Sequence, residues 1–383
     1  MTKLSTVAVY TAGFLQGCAF VLIPALGTIL AAPPYLLSSS AYGALFLPQT
    51  LGAIFSALGA NALQNRIGSH GLFRAGAAAN ILALLLLVGA AYSGGDLAHG
   101  LLLLETLFLG IGFGFTLAAI NRYAALLFPH TATIAVTLLN AIIGGATALS
   151  PLLLHALATP AGWTLWPLML AAGFGVVLIL PLPATPPPQG EASRWQGSML
   201  LFALAVFIYA TCEGIFGSWA NIYISVNKAL PAHYGALALS LFWGSMTLFR
   251  VLLALVPERL VAQRVFFLTA PVGMGICFAA LPFVSGVWAL VGIFAAAGAA
   301  CSVYYPFSMS YGLAAFAGQQ TRMAGLMVAA LMAGEGIGSF ALGPLQSLLS
   351  LQRIYLFSAL LTVPLLVLGW RLSARAALSP QAR

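Results

Sequence analysis

The chain has 383 residues, 62% of them hydrophobic and 5% charged, against about 25% charged in a soluble domain. With a mean hydropathy of +1.04, this composition excludes an ordinary soluble enzyme and implies a polytopic membrane protein. A net charge of +8 would suit nucleic acid, but the 14 basic residues are scattered through short loops; orientation in a lipid bilayer explains them, and no nucleic-acid partner is expected.

The first apolar run, 7–30, follows Lys3 and is too long for a signal peptide, so it reads as a first membrane span. Further runs cover 42–63, 75–92, 101–128, 134–157 and 165–182. Residues 183–197 are polar and carry Pro186-Pro-Pro188, Glu191 and Arg194, which reads as a linker. Six more runs follow, at 199–224, 234–256, 265–284, 287–313, 323–349 and 354–370. Each reaches or approaches the ~20 residues that cross the hydrocarbon. The expected fold is an all-α membrane protein of twelve transmembrane helices in two pseudo-symmetric halves, 1–182 and 198–383. Cys18, Cys212, Cys277 and Cys301 all lie inside apolar runs and read as reduced packing residues.

Lys3, Arg66, Arg74, Arg194, Arg259, Arg264, Arg322, Arg371, Arg375 and Arg383 fall on one side of that layout, and only Lys228 and Arg353 on the other. Both termini are therefore expected to be cytoplasmic, in a cell membrane that would be the inner one in a Gram-negative source. The halves also look like copies. Tyr42-Gly-Ala-Leu45 recurs as Tyr234-Gly-Ala-Leu237, and Gly52 as Gly244, at an offset of 192 (234 − 42). The Gly145 to Leu152 stretch answers Gly338 to Leu345, and Gln16-Gly17 answers Glu213-Gly214. Parallel repeats of this kind put a solute site near the midplane between halves.

Glu213 is the most informative residue, because it sits in the middle of the run 199–224. A carboxylate at a helix centre costs about 2.5–3.5 kcal/mol on insertion scales and normally faces a partner or a wet cavity. Helical spacing puts Tyr209, Glu213, Phe216, Gly217 and Ala220 on one face; the plain alternative is a neutral structural carboxyl between helices. Glu335 lies about 18 Å from one end of its run, near the midplane, flanked by Gly334, Gly336 and Gly338. Arg250 and Arg122 fall in the inner leaflet, where snorkelling competes with a functional role. Tyr304, Ser308 and Tyr311 share a face next to Pro306 and suit hydrogen bonds and stacking to an organic solute. Gln16, Gln49 and Asn140 are further candidate contacts, with bonding between helices as the alternative. Glu105 is expected near the outer end of its span, solvated.

Twelve spans in two halves resemble the major facilitator superfamily, over essentially the whole chain. Its Gly-x-x-x-Asp-Arg-x-Gly-Arg-Arg loop corresponds to Asn61-Ala-Leu-Gln-Asn65-Arg66-Ile-Gly68-Ser-His70, with Asn at both the first Gly and the Asp. A second copy keeps Glu258-Arg259 after Arg250. The resemblance implies a cytoplasmic charge latch at Arg66, Glu258 and Arg259, with positive-inside anchoring as the alternative for both arginines. The stretch Tyr209-Ala-Thr-Cys-Glu-Gly-Ile-Phe-Gly-Ser-Trp-Ala-Asn221, Phe242-Trp-Gly-Ser-Met-Thr-Leu-Phe249-Arg250 and Gly114-Phe-Thr-Leu-Ala-Ala-Ile-Asn121 are similar to the fucose-proton and glucose/galactose symporter group. The carboxylate of those symporters falls on Leu117 here, so their coupling site does not carry over. Ala146-Thr-Ala-Leu-Ser150-Pro151 is a faint counterpart of the drug-efflux Gly-x-x-x-Gly-Pro pattern.

No nucleotide, metal or enzyme motif is present: Gly110-Ile-Gly-Phe-Gly114 and Gly334-Glu-Gly-Ile-Gly338 neither follow a strand nor carry Lys-Ser/Thr. The resulting expectation is a monomeric, cofactor-free, proton-coupled transporter of a small organic solute, working by rocking of its halves. Glu213 would carry the proton, Glu335 being second choice. Gln16, Gln49, Asn121, Asn140, Tyr209, Trp219, Arg250, Tyr304, Ser308 and Tyr311 would contact the solute. Alternatives are a proton-antiport exporter of drugs or metabolites and a non-transporting receptor or scaffold.

Overall fold

The computed structural model describes residues 2–157, 162–183, 196–256, 263–316 and 319–376. Glu258, Arg259 and linker residues 184–195 lie outside the described residues. Every described element is a helix. Ten helical segments are long and apolar enough to cross a membrane, as expected of a multi-pass membrane protein. The chain divides into two compact units, Met1–Gln189 and Gly190–Arg383.

The first unit holds α1 (Thr2–Phe20), α2 (Leu22–Leu30), α3 (Ser39–Ala44), α4 (Phe46–Ala91), α5 (Gly95–Leu127), α6 (Ala132–Leu157) and α7 (Leu165–Ile179). Two runs expected to be separate, 42–63 and 75–92, are joined into the one α4, which reverses at Gly68. Gly68 has φ 75° and ψ 168°, a region open in practice to glycine alone, so a single residue makes the turn and no loop intervenes. The apolar face of α5 packs along both arms of α4, and α1 packs on α6. In the second pair a Cβ on Gly17 would strike the Ile143 carbonyl. Thr147 Oγ1 donates to the Gly17 carbonyl at 3.1 Å and Ser150 Oγ to that of Cys18 at 2.9 Å. Small residues and hydroxyl bonds of this kind hold apolar helices together where lipid offers no hydrophobic drive.

The second unit holds α8 (Met199–Ile222), α9 (Ala232–Leu255), α10 (Gln263–Ala280), α11 (Val287–Cys301), α12 (Tyr304–Ala315), α13 (Gln320–Leu345), α14 (Leu351–Ser358) and α15 (Thr362–Ala376). A π turn, Tyr223–Asn227, extends α8. The pairing of α8 with α13 uses the device of α1 and α6: a Cβ on Gly214 would strike the Glu335 carbonyl. Gly17 and Gly214 are 197 apart (214 − 17) and the residues they meet 192 apart (335 − 143), so Gln16 and Glu213 precede equivalent glycines. Gly145 and Gly338 behave differently, since a Cβ on Gly338 would meet the Thr211 carbonyl while Gly145 faces open space. The expected run 287–313 breaks after Cys301 into α11 and α12. The cause is Pro306, whose ring has no N–H and crowds the carbonyl four residues back, that of Ser302.

Candidate functional site

The site is built on α8, apolar all round and mostly buried, in which Glu213 is 6% exposed. One turn before it, Tyr209 is fully buried and donates its hydroxyl to the Cys301 carbonyl at 2.8 Å. The same hydroxyl is hydrogen-bonded to the Glu213 carboxyl. Its ring stacks on Tyr304 at 5.5 Å, and Tyr304 stacks in turn on Phe267 at 4.5 Å. Three rings in register keep the Tyr209 hydroxyl at one place.

The break between α11 and α12 supplies the acceptors. Carbonyls at a helix end have no intrahelical donor, and here two of them are taken by site side chains. Cys301 accepts from Tyr209, and Ser302 accepts from Arg250 Nε at 2.9 Å. Arg250 Nη2 also points at the Tyr209 hydroxyl, 3.5 Å away, and the guanidinium and the Glu213 carboxylate attract each other. Arg250 of α9 is therefore turned toward Tyr209 of α8 and the α11–α12 break. On the other side of the break, Ser302 and Val303 help to line a crevice of about 400 Å³ with Phe249, Leu252, Phe266 and Thr269.

Glu335 enters from α13. The Gly214–Glu335 backbone contact brings it beside Glu213, close enough for the two carboxylates to repel. Ser339 fixes the level of this helix: its hydroxyl donates to the Glu335 carbonyl at 2.8 Å and pairs with Ser218 Oγ at 2.6 Å, and its carbonyl accepts from Trp219 Nε1 at 2.8 Å. Arg250 thus faces the Glu213 carboxyl, and Glu335 adds a second carboxyl beside it. Two carboxyls beside one guanidinium are neutral overall when one of them holds a proton. Among the described residues no cluster of His, Cys, Asp and Glu could hold a metal ion.

The other expected contacts are dispersed. Trp219 is buried against Ser339. Tyr304 is also fully buried, its hydroxyl donating to the Leu365 carbonyl at 3.0 Å, so it props Tyr209 from behind. Tyr305, which sequence spacing passed over, is the half-buried ring within electrostatic reach of Arg250 and Glu213. Pro306 was the available signal for the break that brings Tyr305 here. Ser308 is buried without a bonding partner among the described residues, and Tyr311 lies edge-on to Phe267 at 5.2 Å.

In the first unit, Gln16 is fully buried and bonds Asn80, whose Nδ2 reaches Gln16 Oε1 at 2.8 Å. That amide pair joins α1 to α4 and leaves Gln16 no free polar edge for a solute. Gln49 is 9% exposed, with its Oε1 unbonded. Asn140 donates to Asn121 Oδ1 at 3.1 Å. Arg66 is exposed beside the Gly68 turn, and Arg122 Nε and Nη1 reach the Gln64 side-chain oxygen at 3.2 Å once that amide is oriented toward them. Glu105 corrects the sequence expectation: it is 0% exposed, not solvated. Its helix begins six residues before the apolar run that started at 101, spanning Gly95–Leu127, which places Glu105 inside the bundle.

The fold is similar to the crystal structure of a point mutant of the nucleoside transporter NupG, with a TM-score of 0.74 and 15% identity over 96% of this chain and 99% of that chain. No protein-family model matches the sequence, and no curated relative does. At that identity the likeness is one of fold.

Proposed function

We propose that this protein is a secondary transporter of a small organic solute, that it works by alternating access, and that it couples transport to a proton carried by Glu213. The observation that carries the reading is the contact set Arg250–Tyr209–Glu213, placed at a helix break inside apolar spans. A charge there is costly and needs a reason to persist. Counting the reversed helix α4 as two crossings and adding the shorter α7 to the ten long segments yields the twelve spans proposed for the chain.

The chemistry follows from charge balance. With Glu213 ionised, Arg250 has a counter-charge and little affinity for another acceptor. A proton on Glu213 removes that counter-charge and frees guanidinium donors for solute oxygens or nitrogens. It also suits the tyrosine: one hydroxyl proton cannot serve both Cys301 and Glu213, whereas a protonated carboxyl donates to the hydroxyl itself. Proton and solute binding thereby become linked, as coupling requires. The fold neighbour is a nucleoside transporter, which makes nucleosides the first solutes to try.

Glu213→Gln keeps shape and hydrogen bonding and cannot ionise. In proteoliposomes it should abolish solute accumulation driven by a pH difference while sparing solute exchange. Undiminished accumulation by Glu213→Gln would rule Glu213 out as the proton carrier and pass that role to Glu335.

A further inference from the structure

The first unit holds a carboxyl that this transport chemistry does not use. Glu105 on α5 has no exposed surface, and neither of its oxygens has a hydrogen-bond partner among the described residues. It shares a helix face with Gly112 and Thr116. That face meets the second arm of α4 in antiparallel register, Gly76 against Thr116, Asn80 against Gly112 and Gly89 near Leu101. The same register sets Leu87 opposite Glu105 and Leu84 one turn from it, both without exposed surface.

Among the described residues, none of the titratable and charged groups of the surrounding elements bonds either Glu105 oxygen. Arg66, His70 and Arg74 flank the Gly68 turn and Tyr92 follows the end of α4. Lys3 and Tyr10 belong to the first half of α1, Cys18 bonds the Ala146 carbonyl of α6, and His155 ends α6. Tyr42 of α3 packs edge-on to Phe46. On α5 itself, Asp96 and His99 occupy one end and Arg122 and Tyr123 the other. An isolated buried carboxylate is far more costly than the neutral acid. A hard cation needs several oxygen ligands, which aliphatic neighbours do not offer, so the proton is the ligand that fits.

We propose that Glu105 is a proton-binding site of the first unit, separate from the Glu213 group, holding its proton while α5 is packed on α4 and releasing it when that face opens to water. The packed form then weakens as pH rises, because the opened form loses the proton that the packed form keeps.

The test uses full-length purified protein as wild type, Glu105→Gln and Glu105→Leu. Infrared spectra at neutral pH should show a protonated-carboxyl carbonyl band that loses intensity in both variants. From mildly acidic to mildly alkaline pH, the wild-type melting temperature should fall by about 2 °C or more relative to Glu105→Leu. An unchanged carboxyl band, or pH profiles that superimpose, would overturn the proposal. Should Glu105→Gln fail to fold, Glu105→Leu carries both comparisons, since an apolar side chain of similar size leaves no polar group unpaired.

Discussion

Arg250 shows how much one side chain's surroundings matter. Its Nε is bonded to the Ser302 carbonyl while Nη2 faces Tyr209, so two donors of a rigid fork are used at once. A lysine keeps the charge and loses the fork. Arg250→Lys should therefore lower the transport rate about tenfold or more, a hydrogen bond to a charged group being worth about 1.5–3 kcal/mol. Transport at the wild-type rate in Arg250→Lys would mean that only the charge matters. Tyr209 differs from Tyr304 in the same residue-level sense. Both are fully buried, but only Tyr209 has its hydroxyl on the Glu213 carboxyl.

At the level of elements, the α8–α13 pair places Glu213 beside Glu335, and it does so by backbone contact at Gly214. A side chain there must push the Glu335 carbonyl aside, which in a packed interior costs about 1–3 kcal/mol. Gly214→Val should lower the melting temperature of the purified protein by several degrees, at about 2–4 °C per kcal/mol. Gly145→Ala is the matched control, because nothing lies within 4 Å of the added Cβ and alanine is the better helix former. It should melt at or above the wild-type temperature. Equal losses in both variants would show that the close approach at Gly214 does not set the helix spacing. The α11–α12 break is the second element-level device: Pro306 releases the Ser302 carbonyl, and Arg250 takes it.

For the whole molecule, the distribution of basic residues makes a prediction about topology. A reporter fused after Arg383 or within 183–197 should be cytoplasmic, and one at Asp96 external. An external reporter after Arg383 would exclude an even number of crossings with an inside N-terminus. If the proposed coupling holds, neutralising Glu335 by Glu335→Gln should alter the pH dependence of transport less than Glu213→Gln does. Glu213, not Glu335, bonds Tyr209 and attracts Arg250.

Composition and hydrophobic run length alone determined that the chain is helical and multi-pass, since an apolar segment of about 20 residues has few other ways to satisfy its backbone in lipid. They also singled out Glu213, because a carboxylate in such a run stands out whatever surrounds it. The partners of each polar side chain were decided by tertiary structure. Spacing along one helix defines a face but not the neighbour that meets it. Gln16 and Glu213 therefore read as repeat equivalents, yet one pairs with Asn80 and the other with Tyr209. Arg250 could have turned to either water or the interior until the broken helix beside it offered a free carbonyl. Glu105 read as a solvated end residue because its apolar run began at residue 101, whereas α5 begins at Gly95 and packs along α4, taking the carboxyl out of water.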